Sequence, residues 1–128
     1  MELLHADKDY LARKGYRYET FQHGQFLALV IFDFELPPGY QISRADLLVL
    51  LPGGFPDAAP DMWWCYPWVK TITGADPLNA NVAESIRDRT WQRFSRHFTT
   101  ARWHPGRSGV ESYVTLIRAD FARAVQAA

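Results

Sequence analysis

LLVLLPGGFPDAAPDMWWCYPWV, residues 47–69, is the stretch whose reading decides the fold. It begins as an apolar strand that ends at Leu50 and Leu51. A turn-rich segment follows, punctuated by Pro52, Pro56 and Pro60, and an aromatic run then carries the only cysteine, Cys65. Proline fixes φ and donates no backbone hydrogen bond, so the segment is a rigid crossing and not a continuation of either strand. The flanking runs predict a third strand over 45–51 and a fourth over 62–68.

Upstream, FLALVIF at 26–32 opens the strongest strand signal in the chain, predicted over 26–36. Both of its faces are apolar, which implies core on one side and partial cover on the other. Toward its end Asp33 and Glu35 are expected on one face, opposite Phe32 and Phe34. His23-Gly24 supplies turn chemistry, so 17–22 should pair with 25–36 as an antiparallel hairpin. Residues 1–14 read as a short helix, with Leu3, Leu4, Asp7, Tyr10, Leu11 and Lys14 at three- and four-residue steps and Gly15 as its stop. Its apolar face is narrow, which suggests a position on a sheet edge. Pro37-Pro38-Gly39-Tyr40 ends the long strand.

Downstream, Gly74, Asp76-Pro77 and Asn79 mark an irregular connection over 70–90, in which 82–90 reads as a helical turn or two. WQRFSRHF at 91–98 is a dense aromatic and basic cluster, and Trp103-His104-Pro105-Gly106 makes another turn. A C-terminal helix follows, opened by a capping box of Ser108 and Glu111. Val110, Val114, Ile117, Phe121 and Val125 line one face, with Tyr113, Arg118 and Arg123 flanking it. The expected architecture is α+β: an N-terminal helix, a four-stranded antiparallel meander and a C-terminal helix, in one domain over 1–128.

The 128 residues are 48% hydrophobic, enough for a single core. Lys+Arg and Asp+Glu both number 14, which removes the usual electrostatic argument for nucleic acid. RNA or single-stranded DNA binding through Arg93, Arg96 and the tryptophans would be strongly salt-dependent and is disfavoured by this balance. One cysteine forms no internal disulfide, the charged N-terminus does not resemble a signal peptide, and the longest apolar run is too short to span a bilayer. A soluble cytoplasmic domain without a membrane partner is the expectation.

The order of elements resembles the ubiquitin-conjugating-enzyme (UBC-like) fold. LPPGY at 36–40, DLLVLLPGGFPDAAPDM at 46–62 and WQRFSRH at 91–97 resemble a bacterial branch of that superfamily. Leu51-Pro52, Phe55-Pro56 and Ala59-Pro60 stand where the superfamily has its strand-three-to-four crossing. Members of that branch are found beside activating-enzyme, ubiquitin-like and JAB-type peptidase proteins, so the resemblance implies those partners and a ubiquitin-like modifier. It implies no metal or organic cofactor, because the nucleotide-dependent step belongs to the activating enzyme. The chain also departs from the pattern. The superfamily's catalytic cysteine follows a His-Pro-Asn motif well beyond the fourth strand. Here that motif is absent, and His104-Pro105-Gly106 is only a partial echo. Whether the chain is an enzyme is left open.

Cys65 is the only thiol suited to forming a thioester with a modifier's C-terminus. No base or cation neighbours it in sequence, and a cysteine among aromatics reads first as a core or surface residue. Ser95 and His97 form a possible nucleophile–base pair in an extended segment, with the arginines beside them as oxyanion or carboxylate ligands. The competing reading makes Trp91 and Phe94 anchors and gives Arg93, Arg96 and His97 to turn carbonyls. His97 and His104 are the general-base candidates because their ordinary pKa lies near neutrality. Two functions follow: thioester-linked transfer of a modifier, or a non-enzymatic module that binds the modifier or its activating enzyme. The second would use the aromatic surface of Trp63, Trp64 and Trp68: alternating strand residues cannot all face one core, so some of that surface is covered either by the 70–90 segment or by a partner.

Overall fold

The computed structural model describes residues 2–96, 103–104 and 108–127. Two helices, α1 (His5–Arg13) and α2 (Val110–Ala127), pack on one face of an antiparallel sheet, giving the expected α+β UBC-like architecture. Strands β1 (Tyr18–His23), β2 (Phe26–Glu35), β3 (Arg44–Leu51) and β4 (Trp63–Tyr66) form the predicted meander. The sheet continues further. β5 (Val82–Ile86) and β6 (Arg89–Phe94) form a hairpin in the stretch read as irregular, and β6 pairs with β4 to give the order β1-β2-β3-β4-β6-β5. The helical turns expected over 82–90 are therefore strand and turn.

Strand alternation divides the sheet into two apolar faces. Leu27, Leu29 and Ile31 of β2, Leu47, Val49 and Leu51 of β3 and Phe94 of β6 meet the helices in the main core. Ala28, Val30, Leu48, Trp64, Ile86 and Trp91 form a second cluster on the opposite face. The two apolar faces read from 26–32 are thus both used. The sheet curls until the tip of the β5–β6 hairpin reaches the opposite edge: the Arg87 guanidinium lies 3.8 Å from the Phe21 ring centre and 3.9 Å from Glu19 of β1.

One expected face assignment fails. Between Ile31 and Phe34 the β2–β3 register slips by a residue, with Asp33 at φ 54 in the bulge. The bulge inverts the alternation, so Phe34 enters the main core while Phe32 packs on the second cluster.

The α2 apolar face falls as its spacing predicts, with Val110, Val114, Ile117 and Phe121 buried. Its start differs. The Val110 N–H is capped by Asp7 Oδ1 of α1 at 3.0 Å, while Ser108 Oγ accepts the His104 N–H and Glu111 pairs with Arg13. The Ser108/Glu111 box is not formed. Asp7 also joins α1 to α2, and Tyr10 and Leu11 enter the main core beside it, so α1 is more deeply seated than a helix on a sheet edge. At the other end of α2, a Cβ on Gly39 would lie 2.4 Å from Val125 Cγ1, so glycine is needed where the Pro37-Pro38-Gly39-Tyr40 turn meets the helix. Tyr40 then donates its hydroxyl to the Phe121 carbonyl at 2.7 Å. Burial, with the Asp120 charge nearby, pushes the Tyr40 hydroxyl up to about 12. It therefore stays a donor throughout the ordinary pH range. No helix among the described residues is long and apolar enough to cross a membrane.

Candidate functional site

Cys65 lies in β4 with Leu47 of β3 on one side and Gln92 of β6 on the other. Its side chain points into the main core and is 1% exposed. Burial, with a smaller contribution from Asp46, pushes its thiol far above the ordinary range. A neutral thiol is a poor nucleophile, because the thiolate is the attacking species.

The other predicted residues do not gather around it. Ser95 follows β6, half-buried, with its N–H on the Asn79 carbonyl at 3.0 Å. It stands three residues beyond Gln92, the partner of Cys65, which the strand rise converts to roughly 10 Å. His104 is on the surface and adjoins Trp103. The Trp103 indole donates to the Pro56 carbonyl at 2.7 Å and packs on Phe55 and Tyr113, so this segment covers the proline crossing. No hydrogen bond joins Cys65, Ser95 and His104 to one another among the described residues. His97 lies outside the described residues, as do Pro105 and Gly106.

Trp63 and Trp64 are buried and Trp68 is half-buried. Trp63 is stacked on Phe94 at 5.6 Å in the main core, while Trp64 lies on the other face with its indole N–H on Glu84 of β5. Trp68 donates to Asp76 at 2.8 Å. Trp64 and Trp68 thus meet the chain's own 70–90 segment, the first of the two expected alternatives, while Trp63 is covered by Phe94 and by Phe121 of α2.

A groove with mixed apolar and polar lining lies where the chain leaves β4. The connection from Val69 to Ala80 is tied down by Gln92, a fully buried amide. Gln92 Oε1 accepts the Val69 N–H at 2.6 Å, and its Nε2 donates to the carbonyls of Val69 at 3.0 Å and Ala80 at 2.9 Å. The middle of the connection folds back on the 37–41 turn: Gln41 donates to the Lys70 carbonyl and Ile72 to that of Gly39. Trp68 and Lys70 both reach Asp76.

Between this connection and α2 runs a groove of about 550 Å³, lined by Thr71, Thr73, Pro77, Leu78, Arg96 and Asp120 among others. Leu78 on its rim is 76% exposed, and Ile72 on the same connection 68%. At its base both carboxylate oxygens of the buried Asp120 accept from Arg96 Nε, at 2.9 and 3.1 Å, and Oδ1 also accepts from Arg123 at 3.0 Å. Arg96 also donates to the Leu78 carbonyl. The groove therefore has an apolar rim, threonine hydroxyls and a fixed charge cluster, but no thiol or histidine among its described lining residues. Its chemistry suits holding a chain segment. Among the described residues, no group of three or more His, Cys, Asp or Glu is placed to hold a metal ion.

Gln92 and Asp120 are not among the predicted site residues, whereas Arg96 is, and it donates to a turn carbonyl, that of Leu78, as one of its two readings expects. A signal for Gln92 was present in Trp91-Gln92-Arg93-Phe94: as a strand, it turns Gln92 inward with Phe94. The Arg96–Asp120 contact joins residues 24 apart and has no local signature.

The family model described as Prokaryotic E2 family E matches residues 3–124. No curated protein and no solved structure matches the chain.

Proposed function

Because the chain belongs to prokaryotic E2 family E, we propose that it positions a ubiquitin-like modifier beside its activating enzyme, as a binding module that forms no thioester on Cys65. The observation that carries this reading is the 1% exposure of Cys65 within a strand paired on both sides. Acyl transfer to a thiol requires a thiolate in contact with the incoming carbonyl. A thiol held neutral inside the core meets neither condition. The groove at the β4 exit is the natural place for a modifier's extended tail, since its rim offers Leu78 and its base a fixed guanidinium. This reading asks no chemistry of Ser95, His97 or His104. The implied partners are the modifier and the activating enzyme, with a JAB-type peptidase as a further one, and the cytoplasm is the proposed place of action.

Thioester trapping tests the proposal. The activating enzyme is charged with modifier and ATP, then mixed with wild-type, C65S and S95A proteins. The expected result is no reductant-sensitive adduct on any of them, together with capture of the modifier or activating enzyme that weakens in Leu78→Glu. A reductant-sensitive adduct lost in C65S would sink the non-catalytic reading. A reductant-resistant, base-labile adduct lost only in S95A would overturn it in favour of serine chemistry.

A further inference from the structure

A second cleft, of about 710 Å³, lies on a different part of the molecule, where the α1–β1 link, the end of β2 and the middle of α2 converge. Four cationic side chains (Lys14, Arg17, Arg44 and Arg118) and two anionic ones (Asp33 and Glu35) line it, an excess of two positive charges. The chain as a whole has no net charge, so this is a local concentration.

The pairing within the cleft identifies which charges are surplus. Arg17 pairs with Asp33 at 3.4 Å and Arg44 with Glu35 at 3.6 Å, both exposed contacts. Arg44 also donates to the Asp33 carbonyl, so the β2 bulge is what presents these acids to the arginines. Lys14 and Arg118 have no carboxylate partner among the described residues. Arg118 is half-buried over the rings of Phe34 at 5.2 Å and Tyr16 at 5.9 Å, and it donates to the Tyr16 hydroxyl. Its guanidinium is thereby held in one orientation and partly shielded from water, which strengthens its attraction for an anion. Lys14 stands at the end of α1. The carbonyls of Tyr10, Leu11 and Ala12 are already occupied by the N–H groups of Lys14, Tyr16 and Gly15, so its ammonium is not needed there.

We propose that this cleft docks an acidic peptide segment of a partner protein, with Lys14 and Arg118 receiving its carboxylates. The choice of a peptide carboxylate over a phosphate comes from the rest of the lining. Phosphate sites ordinarily use a helix N-terminus or a nest of backbone N–H groups. The helix end presented here is the C-terminal end of α1, which offers no such N–H groups and whose partial negative charge opposes a doubly charged phosphate more than a singly charged carboxylate. Beside the cations, Phe32, Leu36, Pro37 and Pro38 give an apolar stripe suited to the side chains between acidic residues. This site is separate from the groove at the β4 exit and stands whether or not that groove holds a modifier's tail.

The test is an NMR titration of the whole chain at low ionic strength with a short synthetic peptide of alternating aspartate and leucine. The expected result is saturable shifts of the Gly15, Tyr16 and Phe34 amides, binding that weakens steeply with salt, and an affinity loss of about tenfold or more in Arg118→Gln. Lys14 is exposed, so K14E reverses a charge without disturbing the core and should also abolish binding, even if Arg118→Gln folds poorly. K8Q, on the outer face of α1, should bind as wild type. Equal binding of the asparagine–leucine counterpart, or wild-type affinity in K14E, would overturn the proposal. Pyrophosphate that shifts the same amides while the acidic peptide does not would likewise overturn it, in favour of a small-phosphate site.

Discussion

Replacing Gln92 by methionine should cost about 3–4 kcal/mol of folding stability. Methionine keeps the unbranched shape of the side chain but removes its amide. Three backbone groups then lose their partner: the Val69 N–H, the Val69 carbonyl and the Ala80 carbonyl, on residues that are fully buried. An orphaned buried donor costs about 2–3 kcal/mol, and the two carbonyls, each with a second lone pair, about 1 apiece. Relief from burying the amide itself returns about 1 kcal/mol. Domains of this size have only about 5–15 kcal/mol in total, so the variant remains folded but is severely weakened. Urea denaturation should show a lower midpoint at unchanged slope. Amide exchange at Val69 should accelerate beyond what the global loss explains, because the whole β4 exit loosens. A loss below about 1 kcal/mol, with Val69 still protected, would refute the clamp.

Q92E extends the test with a defined pH signature. A carboxylate still accepts the Val69 N–H, but it confronts two carbonyls with lone pairs instead of donors. Only the protonated acid can replace one of those bonds, so the folded state raises this group's pKa above the ordinary glutamate value of about 4.3. Its stability contribution is then complete below that value and is lost as pH rises through the raised one. Relative to wild type, Q92E should be weaker than Q92M at neutral pH and recover toward acid pH. A deficit that is flat with pH would count against the geometry.

Other perturbations have equally definite outcomes. Burial raises the Cys65 thiol, so its contribution is intact below about 8.5, where an unfolded thiol titrates, and drains above it by at most about 1.4 kcal/mol per pH unit. C65A should therefore show a shallower stability decline than wild type between roughly pH 8.5 and 10, and identical slopes would contradict the burial. Asp7→Ala removes the cap on Val110 and the link between the helices, at about 1–2 kcal/mol in thermal or chemical unfolding. Asp120→Ala strands the Arg96 guanidinium, whose side chain is 12% exposed, and should cost about 3 kcal/mol. Replacing both partners by apolar residues should recover most of that loss in a double-mutant cycle.

The sequence was readable where burial imposes a period. Residues 26–32 and 47–51 alternate between two apolar faces, and α2 repeats its apolar residues at helical steps, so these elements were placed correctly. The β5–β6 hairpin was hidden because it is an edge. Val82, Ala83 and Ser85 are exposed, Arg87-Asp88 turns without glycine or proline, and only Ile86, Trp91 and Phe94 are buried apolar residues of the pair. The α2 cap shows the limit of local motifs. Ser108 and Glu111 have the right spacing, yet Asp7, 103 residues from Val110, supplies the acceptor. At the candidate site, the position of Cys65 in strand four was legible, but the groove was not, because it depends on long-range contacts such as Arg96 with Asp120.

The hidden hairpin also bears on what Cys65 can do. Were β4 an edge strand, a modest movement of the following chain would expose its side chains. With β6 added, β4 is paired on both sides, and the β6 residue opposite Cys65 is Gln92, which holds Val69 and Ala80 in place. Bringing the thiol to an incoming acyl group would require unpairing β4 from β6 and releasing that clamp. Strands so deeply buried open only at a free energy approaching that of global unfolding. A partner that used Cys65 as a nucleophile would have to supply several kcal/mol of its binding energy for the opening alone. Docking a chain segment against Leu78 and Arg96 requires none of that rearrangement, since the groove already stands open beside α2.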